Sequence, residues 1–222
     1  YSTGWRILDV CYPRNINKVA EYMIEGNACD GFENFALTLA KNSNDTYIDA
    51  EGNISAMPYV YLVAPGADKV MVYDVVNMEF VTKMVGEDEV LVTYDVGETP
   101  TDLAWAHYPN PADPTKYLDK VYVTCLNPLH YPDEGDPYQS EPCDPIWGLN
   151  VQDFGDGAIA YPTEEGFPEC DPGDIPLPTA IAFRADGQYG YVVQGYGGAA
   201  PNGRIFVFNP ATPQTILQEP YI

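Results

Sequence analysis

Leu177-Pro178-Thr179-Ala180-Ile181-Ala182-Phe183 leads, past an Asp186-Gly187 turn, to Tyr189-Gly190-Tyr191-Val192-Val193, and this pair of short runs decides how the chain is read. The same order occurs upstream, where Thr99-Pro100-Thr101-Asp102-Leu103-Ala104-Trp105 precedes Lys120-Val121-Tyr122-Val123-Thr124. Self-similarity on this scale marks a repeated structural unit, and the β-branched and aromatic content of the runs makes that unit a set of strands.

Working outward, an inner strand is expected at Phe35–Leu39, Thr101–Ala106 and Thr179–Phe183, with Leu37, Leu103 and Ile181 equivalent at offsets of 66 and 78 residues. A second strand follows at Tyr59–Val63, Val121–Cys125 and Tyr189–Val193. A third is clearest at Lys69–Asp74 and Arg204–Asn209, and a fourth at Phe80–Met84 and Thr215–Leu217. In the middle repeat Gly157–Tyr161 is the candidate third strand. Trp5–Val10 and Lys18–Tyr22 resemble the third and fourth strands of a preceding unit, although Asn17–Met23 reads as helix or strand equally well. Helix signals are otherwise scarce, and 21 Pro and 19 Gly punctuate the runs as a turn-rich β protein requires.

Four antiparallel strands per unit, repeated around an axis, describe the blade of a β-propeller. The expectation is an all-β propeller with approximate blades at 1–33, 34–98, 99–176 and 177–222, the first and last partial. Blades usually span about 40–45 residues, so the longer spacings predict loop insertions at 42–57 and 127–156. Three to four blades fall short of a ring, since closed propellers typically hold about 4–8. The ring is therefore expected to be incomplete, the chain being a fragment or one that completes its ring with another chain. Tyr1–Trp5 shows neither a basic nor an apolar leader pattern, which fits a mature or trimmed product.

Lys120-Val121-Tyr122-Val123-Thr124-Cys125-Leu126-Asn127, Pro178 through Gly187, and Gly203-Arg204-Ile205-Phe206-Val207-Phe208-Asn209-Pro210-Ala211-Thr212 together resemble the YVTN family of β-propeller repeats. Ala185 replaces the usual Pro, Gln194 replaces the Asn, and the middle repeat is stretched. The resemblance covers most of 59–222 and implies a fold, in the company of surface-layer and extracellular propellers.

The charge narrows the partners. With 33 acidic against 10 basic residues the net charge is −23, a surface that repels phosphate backbones and anionic lipid. No apolar run approaches the roughly 20 residues of a membrane helix. Other protein chains remain the expected partners. Five cysteines at 11, 29, 125, 143 and 170 contain no C-x-x-C pair, so zinc, c-type haem attachment and thioredoxin chemistry lack their signatures. Cys11–Cys29 and Cys143–Cys170 are the expected disulfides, one of three pairings open to these four, with Cys125 reduced inside a strand. Disulfides would place the protein at the cell surface, in the secreted fraction or in the periplasm. Asn44-Asp45-Thr46 and Asn53-Ile54-Ser55 are sequons.

Candidate chemistry is sparse. His107 reads as a structural or surface residue at a strand end; His130, in the large loop, is the candidate axial ligand to a partner's cofactor. Asp133, Glu134 and Asp136, with Asp153 and Asp156, offer hard oxygen ligands for calcium without matching a complete EF-hand loop. Asp49–Asn53 is a partial match that reads better as a hairpin turn. No nucleophile elbow or phosphate-cradling loop is present, and no catalytic residue is assigned. The leading expectation is a non-catalytic binding and assembly module with no resident cofactor. The alternative is a propeller subunit scaffolding a periplasmic redox enzyme whose cofactor lies largely on a partner chain.

Overall fold

A computed structural model describes residues 4–9, 17–23, 36–64, 68–97, 100–125, 146–151, 154, 159–161, 178–194 and 204–218. Among these residues the chain is all β, with 17 strands and no helix. β1 (Gly4–Asp9) and β2 (Asn17–Met23) form an antiparallel pair, which resolves the ambiguous Asn17–Met23 as strand. β3 (Leu37–Ile48), β4 (Ile54–Ala64) and β5 (Lys69–Asp74) then run as an antiparallel meander. Its fourth position is shared by β6 (Glu79–Phe80) and β9 (Thr93–Asp95), both paired to β5. Between them β7 (Thr82–Val85) and β8 (Asp88–Leu91) leave as a separate hairpin. The next sheet orders β10 (Pro100–Asn110), β11 (Asp113–Cys125), β12 (Ile146–Asn150) and β13 (Ile159–Tyr161). The last orders β14 (Pro178–Phe183), β15 (Gly190–Gln194), β16 (Arg204–Asn209) and β17 (Thr212–Gln218).

Successive side chains on a strand point to opposite faces, and on the middle sheet both faces are apolar. Leu103, Val121, Val123 and Leu149 pack in one layer with Tyr59, Tyr61, Val63, Val70 and Val72 of the β3 sheet. Ala106, Tyr108, Tyr122 and Ile146 pack in a second layer with Ile181, Val192, Phe206 and Phe208 of the β14 sheet. Val121 to Cys125 are accordingly all at 0% exposure. The three sheets thus stack face to face, and β10 contacts both β3 and β14.

Polar bonds pin the second layer. Thr101 Oγ1 donates to the Pro178 carbonyl at 2.7 Å, the Ile181 amide donates to Asp102 Oδ2 at 2.9 Å, and Tyr122 Oη donates to the Pro210 carbonyl. The β14–β15 turn also presses onto β10. Gly187 has φ +69°, and a Cβ built there would lie 1.9 Å from the His107 carbonyl oxygen. Gly190 leaves room for the rings of Phe183 and Phe208, which meet edge to face at 5.8 Å.

Three sequence expectations need correction. The segment 42–57, expected as a loop insertion, is a hairpin whose pairing runs out to Ile48↔Ile54. Its polar Ser43-Asn44-Asp45 run is a bulge between Asn42 and Thr46, and Asp49 closes the turn by accepting the Glu51 and Asn53 amides. The insertion expected at 127–156 contains a strand, β12, so Ile159–Tyr161 is the fourth strand of its sheet and not the third. Gly148 in β12 faces the large ring of Tyr122, where a small residue suits the pairing. Finally, the fourth strand expected at Phe80–Met84 pairs with β5 only at Glu79–Phe80.

Gly187→Ala should lower unfolding stability by about 2–4 kcal/mol, since it adds steric conflict to a left-handed backbone. Gly52→Ala is the matched control: φ is +87° with nothing within 4 Å, so its cost should stay near ~1 kcal/mol. Urea denaturation of both variants measures the difference, and equal costs would mean that the turn does not bear on β10.

Candidate functional site

The described polar groups converge on Asp119. It sits on β11 directly opposite His107 of β10, and its side chain is 0% exposed. A carboxylate so buried is tolerated only with full hydrogen bonding. Four donors supply it. His107 Nδ1 approaches Oδ1 at 2.7 Å and Trp105 Nε1 approaches the same oxygen at 3.2 Å. The Ser43 amide, at 3.1 Å, and the Ser43 hydroxyl both donate to Oδ2. Ser43 belongs to the neighbouring sheet, and the β3 bulge is what carries it there. The Asp119 carbonyl in turn accepts the Val151 amide at 3.1 Å.

An ionised carboxylate only accepts, so Nδ1 of His107 carries a proton and Nε2 is the acceptor in the neutral ring. The ring lies parallel to Tyr117, with centroids 4.4 Å apart and an interplanar angle of 4°. Trp105 lies on its other side at 5.8 Å. The composition invites comparison with a Ser-His-Asp triad, but the connectivity differs. In a triad the imidazole stands between hydroxyl and carboxylate and takes the hydroxyl proton. Here the carboxylate stands between, with the serine on one oxygen and the histidine on the other. The arrangement braces two sheets; it does not activate a nucleophile.

The residues singled out from sequence lie elsewhere. Cys11, Cys29, Cys143, Cys170, His130, Asp133, Glu134, Asp136, Asp153 and Asp156 are all outside the described residues. Among the described residues no group of three or more His, Cys, Asp or Glu side chains is placed to hold a metal ion. Among them also, no helix is long and apolar enough to cross a membrane. Cys125 is a buried free thiol, and burial pushes its pKa up. Tyr61 is likewise raised, by burial first and then by Tyr94, Tyr59 and Asp119, and its hydroxyl has no hydrogen-bond partner among the described groups. Sequence reasoning passed over the Asp119 cluster because a register shift between Pro109 and Asn110 hides the pairing of His107 with Asp119. The available signal was an acid just ahead of the all-apolar run at Val121.

No family model matches the chain, and no curated protein matches it. Among solved structures, a chain of Kuenenia stuttgartiensis hydrazine synthase is similar over 80% of this chain and 36% of its own length, at 13% identity and a TM-score of 0.42. This chain therefore spans about a third of that one, and a likeness of that degree carries no functional argument.

Asp119→Ala should cost about 3–5 kcal/mol by stranding buried donors. Ser43→Ala should cost about 1.5–3 kcal/mol, and the double variant should fall clearly short of the sum. Additive losses in urea titrations would refute a shared bond across the sheets. The raised thiol and phenol also set a pH dependence. The unfolded chain gives up these protons first, so stability should fall as pH rises above about 8.5 for Cys125 and steepen above about 10 for Tyr61. Cys125→Ala should flatten the first limb when denaturation is repeated from about pH 7 to about pH 10.

Proposed function

We propose that this chain is a section of a β-propeller of the YVTN-repeat kind, serving outside the cytoplasm as a non-catalytic binding and assembly module. The observation that carries the reading is the middle sheet, whose two faces are both apolar and both covered by sheets with the same strand order. Sheets of that kind, stacked in sequence with inner strands adjacent, are what blades require. The Asp119 cluster supports the non-catalytic part, because its serine and histidine meet the carboxylate separately. The acidic composition, −23 overall, favours protein partners over nucleic acid.

Native and denatured mass of material from its source tests the reading. The expected result is an assembly heavier than the 24.5 kDa of this chain, with no visible absorption band. A lone chain of that mass would overturn the assembly reading, and a stoichiometric chromophore would support the redox-scaffold alternative instead.

A further inference from the structure

The stack has a direction. The face of the β3 sheet that carries Tyr61 and Val63 is covered by the Leu103 face of the β10 sheet. The Tyr122 face of the β10 sheet is covered by the Ile181 face of the β14 sheet. Each trailing face therefore takes the leading face of the sheet that follows. At the two ends this pairing is unmet. On the last sheet, Ala182, Tyr191 and Val207 lie in register, as do Ala180, Val193 and Ile205, on the face opposite Phe206 and Phe208. This is the counterpart of the Tyr122 face, yet Val193 is 37% exposed where Tyr122 is at 0%. On the β3 sheet the leading face carries Leu37 and Leu39, which are 57% and 49% exposed. Their counterparts Leu103 and Ile181 are 3% and 5% exposed.

Resting on the assembly reading above, we propose that these two faces are each other's partners between copies: the Tyr191–Val207 face of one chain docks the Leu37–Leu39 face of a second copy of the same chain. The chain carries one open trailing face and one open leading face, the two halves of a contact already made twice inside it. The association is head to tail. Two copies bring six such sheets, three from each, which falls within the roughly 4–8 blades of closed propellers. Two copies then close with two-fold symmetry, with no open face left to extend a filament. The contact is apolar while each chain carries −23, so added salt strengthens it by screening the repulsion.

Sedimentation or light scattering of this chain alone, across a salt series, tests the proposal. The expected mass is twice 24.5 kDa, with the dimer fraction rising with salt. Val193→Asp and Leu37→Asp are both surface changes, and each should weaken the dimer by ~30-fold or more while leaving the circular dichroism spectrum unchanged. Mixing the two variants should restore part of the association, because the unaltered trailing face of Leu37→Asp meets the unaltered leading face of Val193→Asp. A monomer at every salt concentration overturns the proposal, as does a dimer sensitive to Val193→Asp alone, which would be a like-with-like contact. If the isolated chain is monomeric but source material is an assembly with other chains, the second-copy proposal fails while the assembly reading stands.

Discussion

Neighbouring residues on β11 point to opposite faces, so Val121 and Val123 belong to one apolar layer and Tyr122 to the other. The whole stack hangs on that alternation. A strand with one wet face would leave either the β3 sheet or the β14 sheet without a counterpart. A slip of one residue in register would exchange the two sets of side chains, placing Tyr122 against Tyr59 and Tyr61 and leaving two valines before Phe206 and Phe208. The two layers differ in character, aliphatic against tyrosine on one side and aromatic against aromatic on the other, which makes such an exchange sterically costly. Register is thus fixed from both faces at once.

Apolar layers alone do not orient one sheet on the next, because they are tolerant of sliding. Direction comes from the few buried polar groups. Asp119 joins β10, β11 and the β3 bulge through one carboxylate, and Thr101, Asp102 and Tyr122 do the equivalent toward the β14 sheet. These bonds lie in a low-dielectric setting, where an unmade partner is expensive, so each works as a positional constraint more than as a source of net stability. The folded state therefore depends on a bulge that looks like loop sequence.

Much of the architecture was legible because strand periodicity survives in short runs. Lys69–Asp74 and Arg204–Asn209 are strands with the limits read from sequence, and the inner strands at Thr101 and Thr179 differ only at their ends. What escaped was set by tertiary context. Ile146–Asn150 contains a glycine that looks like a turn until Tyr122 is seen across from it. Ser43-Asn44-Asp45 looks like loop because a bulge tolerates polar residues, and Val81 to Leu91 leaves its sheet in a way no local pattern reports. The Asp119 cluster was illegible for a related reason: its members come from three strands, and their meeting depends on two register shifts. The acidic loops and the four remaining cysteines stood out by composition, and they fall outside the described residues.

The shared fourth position on β5 has a bearing on how such a chain can grow. Phe80 and Tyr94 both anchor to β5, at Tyr73 and Val70, while the exposed hairpin of β7 and β8 hangs between them. Both ends of the excursion are held by the same strand, so lengthening it changes only a loop-closure entropy that rises slowly with length. The edge of this sheet is therefore a site where foreign sequence can be spliced in without disturbing either apolar layer. A reporter peptide or affinity tag placed between Val85 and Asp88 would ride on the outside of the stack, available to solvent and remote from the Asp119 bonds.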